Sequence, residues 1–146
     1  MPAIAASSAA GLTRVRPLAA AGLLAALSGV GIAAVAAGAS VERVCVLLAL
    51  APLLEEALFR LGLHDALLKR LQAPHLANAL TALAFGVAHV AVRNDLGGLA
   101  VMAPALLIGW VYERWGQLRL CVALHAVMNA VWLSWALAGA AVRVGS

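Results

Sequence analysis

The sequence predicts an all-α protein, a multi-pass transmembrane helical bundle of about five spans plus a short interfacial helix. Three observations carry that expectation. Of the 146 residues, 65% are hydrophobic and 11% are charged, whereas soluble domains carry about 25% charged residues. Mean hydropathy is +1.02, and the apolar residues form runs near the ~20 residues that a bilayer-crossing helix needs. The basic residues gather between those runs, where short membrane loops are expected. The length suits one membrane-embedded domain over 1–146, with the lipid bilayer as its surroundings. A net charge of +4, scattered over loops, does not indicate a nucleic-acid partner.

In chain order, residues 1–13 are small and uncharged and are expected to be a flexible tail. Arg14 and Arg16 then precede an apolar run over 17–38. That run exceeds the 7–15 residues of a secretory signal's apolar region, so it reads as a retained transmembrane helix. Its Gly22/Ala26 and Ala25/Gly29 pairs have the four-residue spacing that lets another helix approach closely. Span two, about 44–63, contains Pro52, which removes a backbone hydrogen bond and predicts a kink beside Glu55. Residues 64–74 place Leu67, Leu68 and Leu71 opposite Lys69 and Arg70, the pattern of an interfacial helix ended by Pro74.

Span three is about 75–92. Span four, about 99–112, is short and interrupted by Pro104. Span five is about 118–142. With the N-terminus inside, Arg14, Arg16, Arg60, Lys69, Arg70, Arg114 and Arg119 fall on the inner side, and Arg43, Arg93 and Arg143 on the outer. That asymmetry predicts a cytoplasmic N-terminus in the cytoplasmic (inner) membrane. Cys45 and Cys121 lie in apolar segments and read as buried core residues rather than a disulfide or a metal pair.

Span two holds Glu55, Glu56 and Arg60 inside an apolar run. A charge at the centre of a membrane helix costs about 2.5–3.5 kcal/mol on insertion scales, so its presence asks for a reason. Glu56 and Arg60 are i and i+4 and can pair. Such a pair could simply lock helix packing, but packing does not require the second carboxylate, which points elsewhere. Span three offers Phe85 and His89, and span five His125 and Asn129, again at i and i+4. Stranding such groups in hydrocarbon costs several kcal/mol, so all should face the bundle interior. They could serve only as interhelical glue. Three separate helices carrying them at the same spacing favours a shared pocket.

Glu with His can deprotonate water, and His with Asn can donate to the oxyanion that forms when water attacks an amide. That set suffices for peptide hydrolysis without a nucleophilic serine. Ser134 has no evident general base, and Ser28 is isolated.

Glu55-Glu56-x-x-x-Arg60, Phe85-x-x-x-His89 and His125-x-x-x-Asn129, in that order, resemble the three motifs of the CPBP family of CAAX and bacteriocin-processing proteases. The turn Tyr112-Glu113-Arg114-Trp115-Gly116-Gln117-Leu118 resembles the one before that family's last motif. The resemblance covers about 44–133 and suggests the compact bacterial form. Arg60-Leu61-Gly62 departs from the family's common Arg-Gly.

The resemblance implies a glutamic-type intramembrane endopeptidase in which Glu55 and His89 activate water, and His125 and Asn129 form the oxyanion hole. Glu56, Arg60 and Phe85 would support them. Its substrate would be a membrane-tethered or lipid-modified protein, for instance one bearing a C-terminal sorting signal. No metal or cofactor is expected, although His89, His125 and a glutamate could ligate zinc by residue type. The alternative is a non-catalytic immunity or sorting-partner protein of the same fold. One geometric difficulty accompanies both: with span two ending at 63, His89 would lie about 8–10 Å from the depth of Glu55.

Overall fold

A computed structural model describes residues 17–144, with side chains over 19–139, so the expected tail at 1–13 lies outside the described residues. Five long helical passes account for the described chain, and among the described residues there is no strand. Helix α1 is Pro17–Ala36. It turns through Gly38, whose φ of 96° only glycine adopts without strain. Ser40 then caps the next helix by accepting from the Arg43 N–H at 3.2 Å.

That helix, α2, runs without a break over residues 41–71, with π-helical stretches at Val46–Leu50 and Ala57–His64. Pro52 accounts for the first. In an α-helix its ring would strike the carbonyl four residues back, that of Leu48. The widened turn relieves this, and the Ala51 N–H reaches back five residues to the Val46 carbonyl. The predicted irregularity is therefore present, as a π turn.

The second π stretch has a different consequence. Pro52, Glu56, Arg60 and His64 are all buried, a strict four-residue repeat. On a 3.6-residue helix such a repeat drifts about 40° at each step. Wider π turns take up that drift and keep the four side chains on one inward stripe. Leu54, Leu58 and Leu61 are exposed on the outer side. Polar inside and apolar outside is the arrangement a bilayer imposes.

Residues 65–71 continue α2, and no separate interfacial helix begins at 64. Nothing at 64–65 breaks the chain; termination comes at Gln72, which adopts the left-handed conformation at φ 53°. Pro74 opens α3 (Pro74–Arg93), where a proline's missing N–H costs nothing. Asn94, also left-handed, ends it. Asp95 accepts from the Gly97 N–H and starts a 3-10 turn, Leu96–Val101, that leads into α4 (Met102–Trp115). Pro104 sits in the first turn of α4, where it interrupts nothing. Gly116, at φ 61°, closes α4, and α5 is Leu118–Val144.

Among the described residues, four stretches are long and apolar enough to cross a membrane: Ala19–Ala36, Pro74–Arg93, Leu96–Trp115 and Leu118–Gly139. The remaining pass is α2, which carries the charges. The close approach of α1 to α2 occurs at Gly31, where an added Cβ would meet Val44 at 3.1 Å. Gly22 and Gly29, the expected contact residues, have open space around them. Cys121 is buried as expected, whereas Cys45 is exposed on the groove between α1 and α2.

Candidate active site

Three helices bring five polar side chains, Glu55, Glu56, Arg60, His89 and His125, into one chain of contacts. Glu56 and Arg60 are fully buried, with Arg60 Nε donating to Glu56 Oε2 at 2.9 Å. Arg60 Nη2 donates to the Ala105 carbonyl of α4 at 3.0 Å. The other Glu56 oxygen, Oε1, accepts from His125 Nδ1 of α5 at 2.8 Å. A carboxylate can only accept, so the proton sits on Nδ1. Nε2 of His125 then faces Glu55 Oε2 at 3.7 Å.

His89 completes the row. Its Nδ1 donates to the Phe85 carbonyl at 3.0 Å, which leaves its Nε2 lone pair 4.0 Å from the same Glu55 oxygen. Phe85 wedges the two imidazoles apart, its ring centroid 4.4 Å from His89 and 5.9 Å from His125. Phe59 backs it edge-on at 4.9 Å. Glu55 Oε2 is buried yet has no hydrogen-bond partner.

The expected depth mismatch between Glu55 and His89 is absent, and the continuous α2 is the reason. Once α2 extends to Leu71, sixteen residues separate Glu55 from the turn and fifteen separate Pro74 from His89. Antiparallel helices then set the two at nearly equal depth, about 22–24 Å from the turn at 1.5 Å per residue.

Asn129 lies on the wall of a small cavity of about 60 Å³ with His89 and His125. Its Nδ2 donates to the Leu47 carbonyl of α2 at 2.9 Å. In the π register that carbonyl would accept from residue 52, and proline has no N–H to give. Asn129 therefore satisfies a backbone oxygen that Pro52 strands.

Two residues missed in the sequence stand beside Arg60. Asn78 Nδ2 donates to the Leu106 carbonyl at 3.0 Å, one residue along from the carbonyl that Arg60 holds. Gly109 faces both: a Cβ there would overlap Asn78 Oδ1 and come within 2.9 Å of Arg60 Nη1. A lone amide in an apolar span was the available signal for Asn78. Gly109 had none, because its role is absence of bulk.

A second polar group, also missed, lies toward the 72–73 turn. His64 is fully buried 3.4 Å from Glu113, and Tyr112 donates its hydroxyl to Asp65 at 3.1 Å. Among the described residues, no three His, Cys, Asp or Glu side chains are arranged to hold a metal ion.

Fold and site together define a multi-pass helical membrane protein with a buried polar centre contributed by α2, α3 and α5. The sequence profile of the type II CAAX prenyl endopeptidase Rce1-like family matches residues 37–131, which include all three motifs. The chain belongs to that family, which is a family of proteases. No curated protein and no solved structure matches the chain.

Proposed function

We propose that the protein is an intramembrane endopeptidase that hydrolyses a peptide bond in a membrane-tethered or lipid-modified protein, with Glu55, His89, His125 and Asn129 as its catalytic groups. One observation carries this reading. Glu55 Oε2, buried and without a hydrogen-bond partner, lies between the Nε2 atoms of His89 and His125 at 4.0 and 3.7 Å. A water in that gap would meet a carboxylate oxygen and an imidazole lone pair together.

In the reaction that follows, the water's O–H bond breaks and its proton passes to Glu55, assisted by the free lone pair of His89. The water oxygen bonds to the carbonyl carbon. His125 and Asn129 then face the developing oxyanion. Neutral His125 spends its proton on Glu56, so its Nε2 donates to the oxyanion only as the imidazolium, whose second proton is taken from bulk water before the attack and stays on the ring through the cycle. Asn129 has a second N–H beyond the one given to Leu47. Collapse breaks the C–N bond, and Glu55 returns the proton to the leaving nitrogen. Glu56 acts through His125, and Arg60 through Glu56, so both are positioning residues.

No metal enters this scheme. The two Nδ1 atoms and both Glu56 oxygens are engaged within the protein while the Nε2 atoms and Glu55 Oε2 stay open, so the response to chelation separates this scheme from a zinc-assisted one.

For orientation, Arg60 no longer counts as a loop residue, because it is buried. The remaining basic residues still favour a cytoplasmic N-terminus in the inner membrane. The 37–40 and 94–95 turns then lie on the outer side.

The test is Glu55→Gln in protein reconstituted in vesicles with a membrane-tethered, lipid-modified reporter, read by mass spectrometry. Endopeptidase chemistry predicts that cleavage falls by at least about 100-fold while the unfolding temperature holds. Cleavage by the unsubstituted protein should survive strong chelation. Undiminished processing by the Glu55→Gln variant would leave the non-catalytic reading in its place.

A further inference from the structure

Arg60 Nη1 and Asn78 Oδ1 are both buried and, among the described residues, both lack a hydrogen-bond partner. One is a donor and the other an acceptor. Both border the space beside Gly109 where any other residue would carry a Cβ. The acceptors around Arg60 are otherwise taken. Glu56 Oε2 holds Nε, Glu56 Oε1 holds His125, the Ala105 carbonyl holds Nη2, and the Leu106 carbonyl holds Asn78 Nδ2. His64, next along the same stripe of α2, turns its Nε2 to Glu113 at 3.4 Å. The bond to Leu106 also fixes which way the Asn78 amide faces, with its oxygen toward Arg60. Two unpaired groups would each bear the loss of their hydration, and pairing them with one another removes both losses.

We infer that Asn78 is a positioning residue of the reaction: its Oδ1 accepts from Arg60 Nη1, which keeps Glu56 Oε1 free to hold His125. This rests on the endopeptidase reading above and adds a fourth member to the line Arg60–Glu56–His125. Without that acceptor, the guanidinium can turn its fork onto Glu56 and take both carboxylate oxygens side by side. His125 Nδ1 then has nothing to donate to, and its proton is no longer fixed there. The ring is free to swing, and Nε2 loses its aim at the oxyanion. Gly109 belongs to the same device, since a side chain at that position would press the two atoms apart.

The test compares Asn78→Leu in the full chain, in mixed micelles, with and without Arg60→Met. The Leu106 bond is lost in both backgrounds and cancels, so any difference reports the contact with Arg60. The loss of Tm caused by Asn78→Leu should shrink by about 3 °C or more when Arg60 is already methionine. The second readout is nitrogen NMR of labelled histidine, with His125 identified by the signal missing from His125→Gln. At a pH where the ring is neutral, the unsubstituted protein should carry the His125 proton on Nδ1. Asn78→Leu should move a large share of it to Nε2. Gly109→Ala, which presses the pair apart without removing either member, should do the same in smaller measure. On a membrane-tethered reporter, Asn78→Leu should lower kcat by about tenfold or more with KM unchanged.

Tm losses that simply add overturn the assignment. So does a folded Asn78→Leu protein whose His125 proton stays on Nδ1, because Asn78 would then serve packing alone. Should Asn78→Leu fail to fold, Gly109→Ala carries the same reading, and a proton still confined to Nδ1 there overturns the assignment. A displaced proton with kcat unchanged, in a protein that cleaves, overturns it as well. Coupled Tm losses and a displaced proton in a protein that cleaves nothing support the link from Asn78 to His125 and count against the endopeptidase reading alone. A kcat that falls with the proton in place does the reverse.

Discussion

Glu56 is the residue through which stability and chemistry can be separated. It is fully buried, and its two oxygens serve different masters, Oε2 taking Arg60 Nε at 2.9 Å and Oε1 taking His125 Nδ1 at 2.8 Å. Glu56→Gln offers one acceptor oxygen to two donors and strands the Arg60 charge in the interior. Breaking one partner of a buried pair costs about 3–5 kcal/mol. For a chain of this size that is a fall of about 10 °C or more in Tm. Arg60→Met keeps most of the volume but leaves the Glu56 charge with His125 alone, so its cost should be similar.

The double variant, Glu56→Gln with Arg60→Met, contains no stranded charge. Replacing a buried pair by groups of similar volume is often close to neutral. The double variant should therefore be more stable than either single one, measured by unfolding in mixed micelles. Activity should not return. His125 has lost the carboxylate that fixes its proton on Nδ1, and cleavage of a membrane-tethered reporter should remain at least about 100-fold down. A double variant whose cost equals the sum of the single costs within about 0.5 kcal/mol would refute the pairing. One that regains cleavage would refute the positioning role of Glu56.

Gly109→Ala places a Cβ over Asn78 Oδ1 and against Arg60 Nη1. It should cost about 1–3 kcal/mol in the same unfolding assay. Gly22→Ala, with open space around it, should be neutral or stabilising by up to about 1 kcal/mol. Asn129→Ala strands the Leu47 carbonyl and should cost about 1–3 kcal/mol. Pro52→Ala in that background restores an N–H able to reach that carbonyl and should recover about 1 kcal/mol. If the two substitutions simply add, Asn129 is not compensating for Pro52.

The legible parts of the molecule were those written in residue type. A carboxylate, imidazole or carboxamide inside an apolar run has few places to go except another polar group, and four-residue spacing says which face it uses. That was enough to align Glu56 with Arg60 and to aim Phe85, His89, His125 and Asn129 inward. What escaped was continuity. Lys69 and Arg70 made 64–74 read as a separate amphipathic piece, and nothing in a window of that size reports that α2 runs on to Leu71. Ending span two eight residues early created the depth mismatch between Glu55 and His89. Asn78 and Gly109 escaped for another reason: their contacts join residues 28 or more positions apart, and no local pattern encodes them.

Pro52 shows how closely the backbone and the site are joined. It widens α2 into a π turn, and in doing so leaves the Leu47 carbonyl without a donor. Asn129 answers that carbonyl from α5, one helical turn beyond His125 on the same face. The defect in one helix is therefore what ties the other to it beside the His125–Glu56 contact. A second π stretch then keeps Glu56, Arg60 and His64 on the inward stripe that begins at Pro52. Had α2 been a regular α-helix, the four-residue repeat would have carried His64 well off the face that holds Glu56. The irregular helix is thus a condition for the polar row, and straightening it should disperse the row before it unfolds the bundle.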